Sequence, residues 1–198
     1  KDAIVVKQQP DDAAWEAADT RYSTIRWFAG VDATFAIGPS RANPFTGQIY
    51  DANIGFSEGI LRFTRRDAEE FVSPVVPTSF DDPPLPVLWG RHAQARCEYA
   101  DGLVQQASVS MSVLDARGEL SPEIVQRIMH EYIVEVVAHE VGHTLGLRHN
   151  FRASTILSVN DLNNTQKTEE IGQTSSVMDY NPVVVTPKGQ KQGHFLTP

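Results

Sequence analysis

The sequence predicts an α/β (α+β) domain in which short strands at the N-terminal side pack against one long helix. Two observations carry this. In stretches before residue 57 the side chains alternate in character at every second position, the period of a strand. From residue 122 to about 146 apolar residues recur every three to four positions without a breaker, the period of an amphipathic helix. A length of 198 residues suits about one domain. With 41% hydrophobic and 21% charged residues the composition is that of an ordinary globular chain, large enough to bury a core without staples.

The elements follow in order. Asp2–Lys7 reads as a short buried strand closed by Gln8, Gln9 and Pro10. Thr20–Phe28 reads as a second, with Tyr22, Thr24 and Arg26 opposed to Ser23, Ile25 and Trp27. Residues 38–48 hold two glycines and two prolines and are expected to be turn or loop. Gln48–Phe56 is expected to be an edge strand. Its Ile49, Asp51, Asn53, Gly55 face is largely polar, and its Tyr50, Ala52, Ile54, Phe56 face is apolar. The long segment 57–121 has no assignable role. Within it, residues 73–86 hold five of the twelve prolines and read as an extended linker. Residues 94–114, rich in Ala, Gln and Leu, read as a helix. Ser121 is a strong N-cap, Pro122 suits the first helical position, and Glu123 sits on the positive end of the helix dipole. The helix they start should stop near Gly146. Residues 150–175 are polar and read as loop.

Charge and cysteine content exclude several roles. A net charge of −8 gives no electrostatic footprint for nucleic acid or an anionic membrane. No apolar run approaches the length of a membrane span. One cysteine, Cys97, cannot make an internal disulfide framework.

The chemistry is concentrated in residues 139–150, HEVGHTLGLRHN, which fit H-E-x-x-H-x-x-G-x-x-H. His139 and His143 are four apart, so on a helix they share one face and can reach one zinc at about 2.0–2.1 Å each. Glu140 is turned from His139 by about 100°, which puts it beside the metal as a base for water. His149 is six positions after His143, and continued helix would carry it about 240° away. The helix must therefore end between them, and Gly146 can end it by taking a left-handed conformation. Three neutral ligands leave a fourth position open, the mark of a catalytic zinc site. Chance production of the five fixed residues in a chain of this composition is of order 2 in 100,000.

Farther on lies SSVMDYNP, residues 175–182. At this point the sequence resembles the metzincin metallopeptidases, whose long zinc motif is followed by a tight turn with a methionine under the zinc ligands. Met178 would be that methionine. The spacing Ser176, Met178, Tyr180 resembles the astacin and serralysin branches. That resemblance implies that Tyr180 approaches the zinc, either as a fifth ligand or as a hydrogen-bond donor to the transition state. Ile25–Trp27, Gly38–Ser40, Thr46–Ala52, His149–Ser154 and Ser176–Tyr180 resemble a bacterial group of large zinc-dependent metzincin-type proteases, catalogued mainly as domains of unknown function.

The resemblance implies a mixed, twisted sheet packed on the zinc helix 122–146. Residues 1–149 would form an upper part, and a small irregular lower part, 150–198, would carry the Met-turn. It implies an extended peptide substrate paired with strand 51–56, and a parent protein exported to the periplasm, cell surface or medium. Metzincins of this kind begin with a helix and continue with one after the Met-turn. Here the chain opens on a predicted strand and has 18 residues after Tyr180. The expectation is therefore one catalytic domain lacking flanking segments at both ends.

Other groups are weaker candidates. His130 is nine positions before His139 and faces the opposite side of the helix. His92, His130 and His194 are expected in packing or surface roles, Cys97 as a small side chain, and Arg65-Arg66 as a solvated helix face. Asp11-Asp12 and Asp81-Asp82 offer oxygen ligands for calcium, but without the regular spacing of a calcium loop. Asn150 is expected to hydrogen-bond and not to ligate. The function expected is zinc-dependent peptide hydrolysis with zinc on His139, His143 and His149, Glu140 as base and Tyr180 near the oxyanion. The alternatives are an inactive zinc-bearing module that captures peptides, and a zinc hydrolase acting on a non-peptide amide.

Overall fold

The computed structural model describes residues 4–29, 36–59, 62 and 99–197. It is an α+β arrangement. Strands β1 (Thr24–Phe28), β2 (Ala36–Ile37), β3 (Ser40–Ala42) and β4 (Ile49–Ser57) come first. Helices α1 (Tyr99–Ala116) and α2 (Pro122–Thr144) follow, then a 3-10 turn (Ala153–Ile156) and the short helices α3 (Val159–Leu162) and α4 (Thr165–Ile171).

The sheet is mixed, and its centre is β4. Strand β1 runs parallel to β4 from Thr24 opposite Asn53 to Phe28 opposite Ser57. Strand β2 lies antiparallel on the other side, with Ala36 opposite Phe56. Strand β3 continues antiparallel after Gly38-Pro39, with Ser40 opposite Ala52. The expected edge strand is thus a central one. Its polar face misled because the polar groups find strand partners instead of water. Asp51 is 2% exposed and takes a bidentate ion pair from Arg41 at 2.7 and 2.5 Å, and Asn53 accepts from the Thr24 hydroxyl at 2.8 Å. With both sides of 51–56 occupied, that strand cannot receive a substrate.

Other expectations change as well. Residues 4–7 form no strand, and Ile4, Val5 and Val6 are exposed. The second strand begins at Thr24, because residues 20–22 turn, with Tyr22 stacked on Trp15 at 4.0 Å. Residues 40–42 of the expected loop are strand, since β4 supplies a ladder for them. Residues 150–175 hold three short helical pieces. Ser158 and Asp161 close a capping box on α3, and the Asn164 side chain caps α4 by accepting from Lys167 N–H. The proline-rich segment 73–86, the helix start at 94–98, Cys97, His92, Arg65-Arg66 and Asp81-Asp82 lie outside the described residues. Among those described, no helix is long and apolar enough to cross a membrane.

Helix α2 starts as its sequence dictates: Ser121 Oγ accepts from Ile124 N–H at 3.3 Å, and Pro122 opens the helix. Its inner face packs between α1 and the sheet. Phe56, Tyr99, Leu103, Tyr132, Val136 and Leu196 form one cluster. Ala107, Met111, Leu114, Ile128 and Phe195 form the next one along. Full burial of each large side chain stabilises by about 1.5–3 kcal/mol. The chain's last residues join this core through Glu131. Its Oε2 accepts from the backbone N–H groups of Phe195 and Leu196 at 2.7 and 3.1 Å, while Oε1 pairs with Arg127 and His194.

Candidate metal centre

The site is built at the C-terminal end of α2 by a helix stop and a return of the chain. Leu145 caps the helix, and Gly146 follows with φ +84°, a conformation glycine takes without strain. Gly146 N–H donates to the His143 carbonyl at 2.9 Å and Leu147 N–H to the Gly142 carbonyl at 3.0 Å. This is the paired hydrogen-bond pattern of a Schellman stop. The reversal aims His149 back at the two helical histidines.

The three rings converge. His143 Nε2 and His149 Nε2 are 3.1 Å apart, and ligand nitrogens from all three histidines lie within 4.8 Å of one another. Two nitrogens bound tetrahedrally at about 2.0–2.1 Å would stand about 3.3 Å apart, close to the spacing of the His143–His149 pair, and the three histidines together could hold one metal ion. The far nitrogens of the two helical histidines are already used. His139 Nδ1 lies 2.6 Å from the Val177 carbonyl, and His143 Nδ1 lies 3.2 Å from that of Leu147. A carbonyl can only accept, so each Nδ1 carries the hydrogen and each Nε2 presents a lone pair to the centre. His139 is fully buried, and burial lowers its pKa to about 4, keeping the ring neutral as a ligand must be. Burial, with His143 nearby, also lowers that of His149. Among the described residues this is the only group of three or more His, Cys, Asp or Glu side chains close enough to share an ion. His130 is exposed, His194 pairs with Glu131, and Asp11 and Asp12 are exposed with no such set.

The return segment forms the floor. A Cβ on Gly142 would overlap Met178 Sδ, so the glycine inside the zinc motif is what lets the methionine lie against the helix. The Met178 carbonyl accepts from the backbone N–H of Asn150 at 2.8 Å, which ties the turn to the segment after His149. Asp179, 3% exposed, accepts from Ser154 N–H at 2.6 Å and ties the turn to the 3-10 segment. Tyr180 reaches the cluster: its ring centroid is 4.8 Å from that of His149 and 5.8 Å from that of His139. Glu140 is 1% exposed, and its carboxylate lies against the backbone of Gly38.

The return beneath the helix is the decisive feature, and it falls within the stretch picked out by comparison. Residues 121–198 match the Met-zincin family model. Neither the curated proteins nor the solved structures gave a match. The matching segment begins at the α2 N-cap and holds all three histidines, Glu140, Met178 and Tyr180. The mixed sheet, the long histidine-bearing helix and this segment together make a metzincin-like α+β fold.

Four further residues lie at the candidate centre in positions to which the sequence reading assigned no role. Tyr99 stacks on Tyr180 with centroids 4.8 Å apart and lies 4.7 Å from the His139 ring. Phe151 packs edge-on to Tyr180 at 5.1 Å. Glu135 is buried one turn before His139, and Gly38 contacts Glu140 from the sheet. Gly38 and Phe151 fell within segments that carry the family resemblance, and Glu135 left a signal of its own: an acid on the same helix face as His139, in an otherwise apolar run.

Proposed function

We propose that this chain is the core of a zinc-dependent endopeptidase. The observation that supports the reading is the convergence of three imidazoles beside a buried glutamate, with the tautomers of His139 and His143 fixed by backbone carbonyls. His139, His143 and His149 would hold the zinc. When bound there, zinc supplies Lewis-acid polarisation of a carbonyl and brings the pKa of water down to about 7. Glu140 takes the proton from the attacking water and hands it to the leaving amine. Its burial beside the histidines keeps bulk water from competing for that proton. Tyr180, held between the rings of Tyr99, His149 and Phe151, donates its hydroxyl to the oxyanion of the tetrahedral intermediate.

Substrate binding follows from the sheet. Among the described residues β2 and β3 pair with β4 alone, and the Gly38-Pro39 link between them lies against Glu140. An extended peptide added along the outer side of Ala36–Ala42 would gain main-chain hydrogen bonds and pass its scissile bond over the histidines.

The test is cleavage of a peptide library by the parent chain and by Glu140→Ala. The parent should cleave and lose activity to a chelator. Glu140→Ala should retain zinc and lose at least about a hundredfold in kcat, the usual weight of a general base. Cleavage by Glu140→Ala at the parent rate would remove the base assignment.

A further inference from the structure

Glu135 is fully buried on α2, and no step of the proposed hydrolysis uses it. Its Oε1 accepts two hydrogen bonds, from the Tyr99 hydroxyl at 3.0 Å and from Asn181 Nδ2 at 2.9 Å. Its Oε2 is also buried and has no hydrogen-bond partner among the described residues. Burying a carboxylate in this way is costly, and an apolar side chain of similar volume is often the more stable choice. Stability alone therefore does not account for the residue.

Its two donors do. Tyr99 comes from α1, and its ring lies flush on Tyr180 and against His139. Asn181 follows Tyr180 directly in the chain. One oxygen thus gathers the residue that backs His139 and the residue that ends the Met-turn.

We propose that Glu135 is a positioning residue for the metal centre, acting through Tyr99 and Asn181 to hold the ring wall behind His139 and Tyr180. The proposal rests on reading the three histidines as a metal site, but not on hydrolysis. Groups behind a ligand set its orientation, and their loss typically weakens metal binding by about 10–100-fold.

The experiment measures zinc release from the folded, zinc-loaded full chain into excess chelator, as a first-order rate. Circular dichroism fixes a temperature at which every variant is folded. Glu135→Leu and Tyr99→Leu should release zinc about tenfold faster or more, whereas Glu135→Gln, which keeps an acceptor oxygen, should stay within about threefold of the parent. Leu114→Ala is the control. It opens a cavity in the same helix, about 22 Å along from Tyr99, and should lower the melting temperature without speeding release. A parent-like rate in Glu135→Leu overturns the proposal, as does equal acceleration in Leu114→Ala. If Glu135→Leu does not fold, Tyr99→Phe decides: it keeps the ring and deletes only the hydroxyl. Release about threefold faster or more supports the clamp, and a parent-like rate overturns it. A parent chain that binds zinc tightly yet cleaves no peptide defeats the hydrolase reading and leaves this result standing. A parent chain that binds no zinc overturns both.

Discussion

Gly38 and Glu140 touch through space with no room for a side chain. A Cβ on Gly38 would stand 2.6 Å from the Glu140 carbonyl oxygen and 3.0 Å from Oε2. The sheet and the candidate base therefore share one surface. In Gly38→Ala either the β2–β3 link or Glu140 must move. Displacement of a reacting group by about 1 Å can cost a hundredfold in rate. The expected outcome is a fall of about 10–100-fold in kcat/KM with zinc content unchanged, read by peptide cleavage and elemental analysis. Parent-level turnover would mean that the contact relaxes without disturbing the base.

The second prediction concerns the floor of the site. Gly142→Ala drives a methyl group into Met178 Sδ and should destabilise by about 1–3 kcal/mol, the usual range for overpacking. Combining it with Met178→Ala removes the clash. The double variant should then be more stable than the sum of the single losses implies, by about 1 kcal/mol or more. Urea denaturation of the four proteins measures the coupling, and strict additivity would refute the contact.

Gly146 makes a different demand, of conformation and not of space. Its φ of +84° strains any residue with a Cβ, yet among the described residues no atom beyond its chain neighbours lies within 4 Å of where that Cβ would be. Gly146→Ala should lose about 1–2 kcal/mol through backbone strain, and Gly146→Asn less, because asparagine visits this conformation more readily. Both should weaken zinc binding by releasing His149 from its turn. Thermal melts and chelator competition would detect this ordering; equal losses for Ala and Asn would contradict it.

The fourth prediction is a pH dependence. Burial raises the Glu135 carboxyl from its ordinary 4.5 to about 7. Between those values the folded protein holds a proton that the unfolded chain has released. The parent therefore loses stability as pH rises through this window, and has lost the full increment above about pH 7. Gln has no proton to lose. The stability of Glu135→Gln relative to the parent should climb from pH 4.5 to 7 by up to about 3 kcal/mol, with zinc conditions matched. A flat difference across denaturation curves in that range would show that Glu135 ionises as freely folded as unfolded.

The candidate metal centre was legible in the sequence because its parts are local. His139, Glu140 and His143 lie on one helix, and Gly146 sets the reversal to His149 through contacts within five residues. The Ser121 cap was legible for the same reason. The sheet was less so, because pairing is not local. The alternation in β4 shows that it is a strand, but not that Arg41 and Thr24 come to its polar face. Ile4–Val6 has strand composition and no partner strand among the described residues. The short helices after 150 carried their signal in Ser158, Asp161 and Asn164, residues common enough in loops to pass as such. Tyr99 and Gly38 act on the site from 40 and about 100 residues upstream of it, a separation that no local pattern encodes.

The partners of the His139 and His143 Nδ1 groups are main-chain carbonyls, those of Val177 and Leu147. No exchange of side chain can delete a carbonyl. Positions 147 and 177 can thus change side chain without changing which nitrogen each imidazole presents, proline at 147 excepted because the Leu147 N–H closes the helix stop. The path of the backbone is not free: an inserted residue in either segment would break the tautomer control while leaving every histidine in place. In lineages descended from this chain, loop length is the conserved quantity to look for at these two points, and residue identity is not.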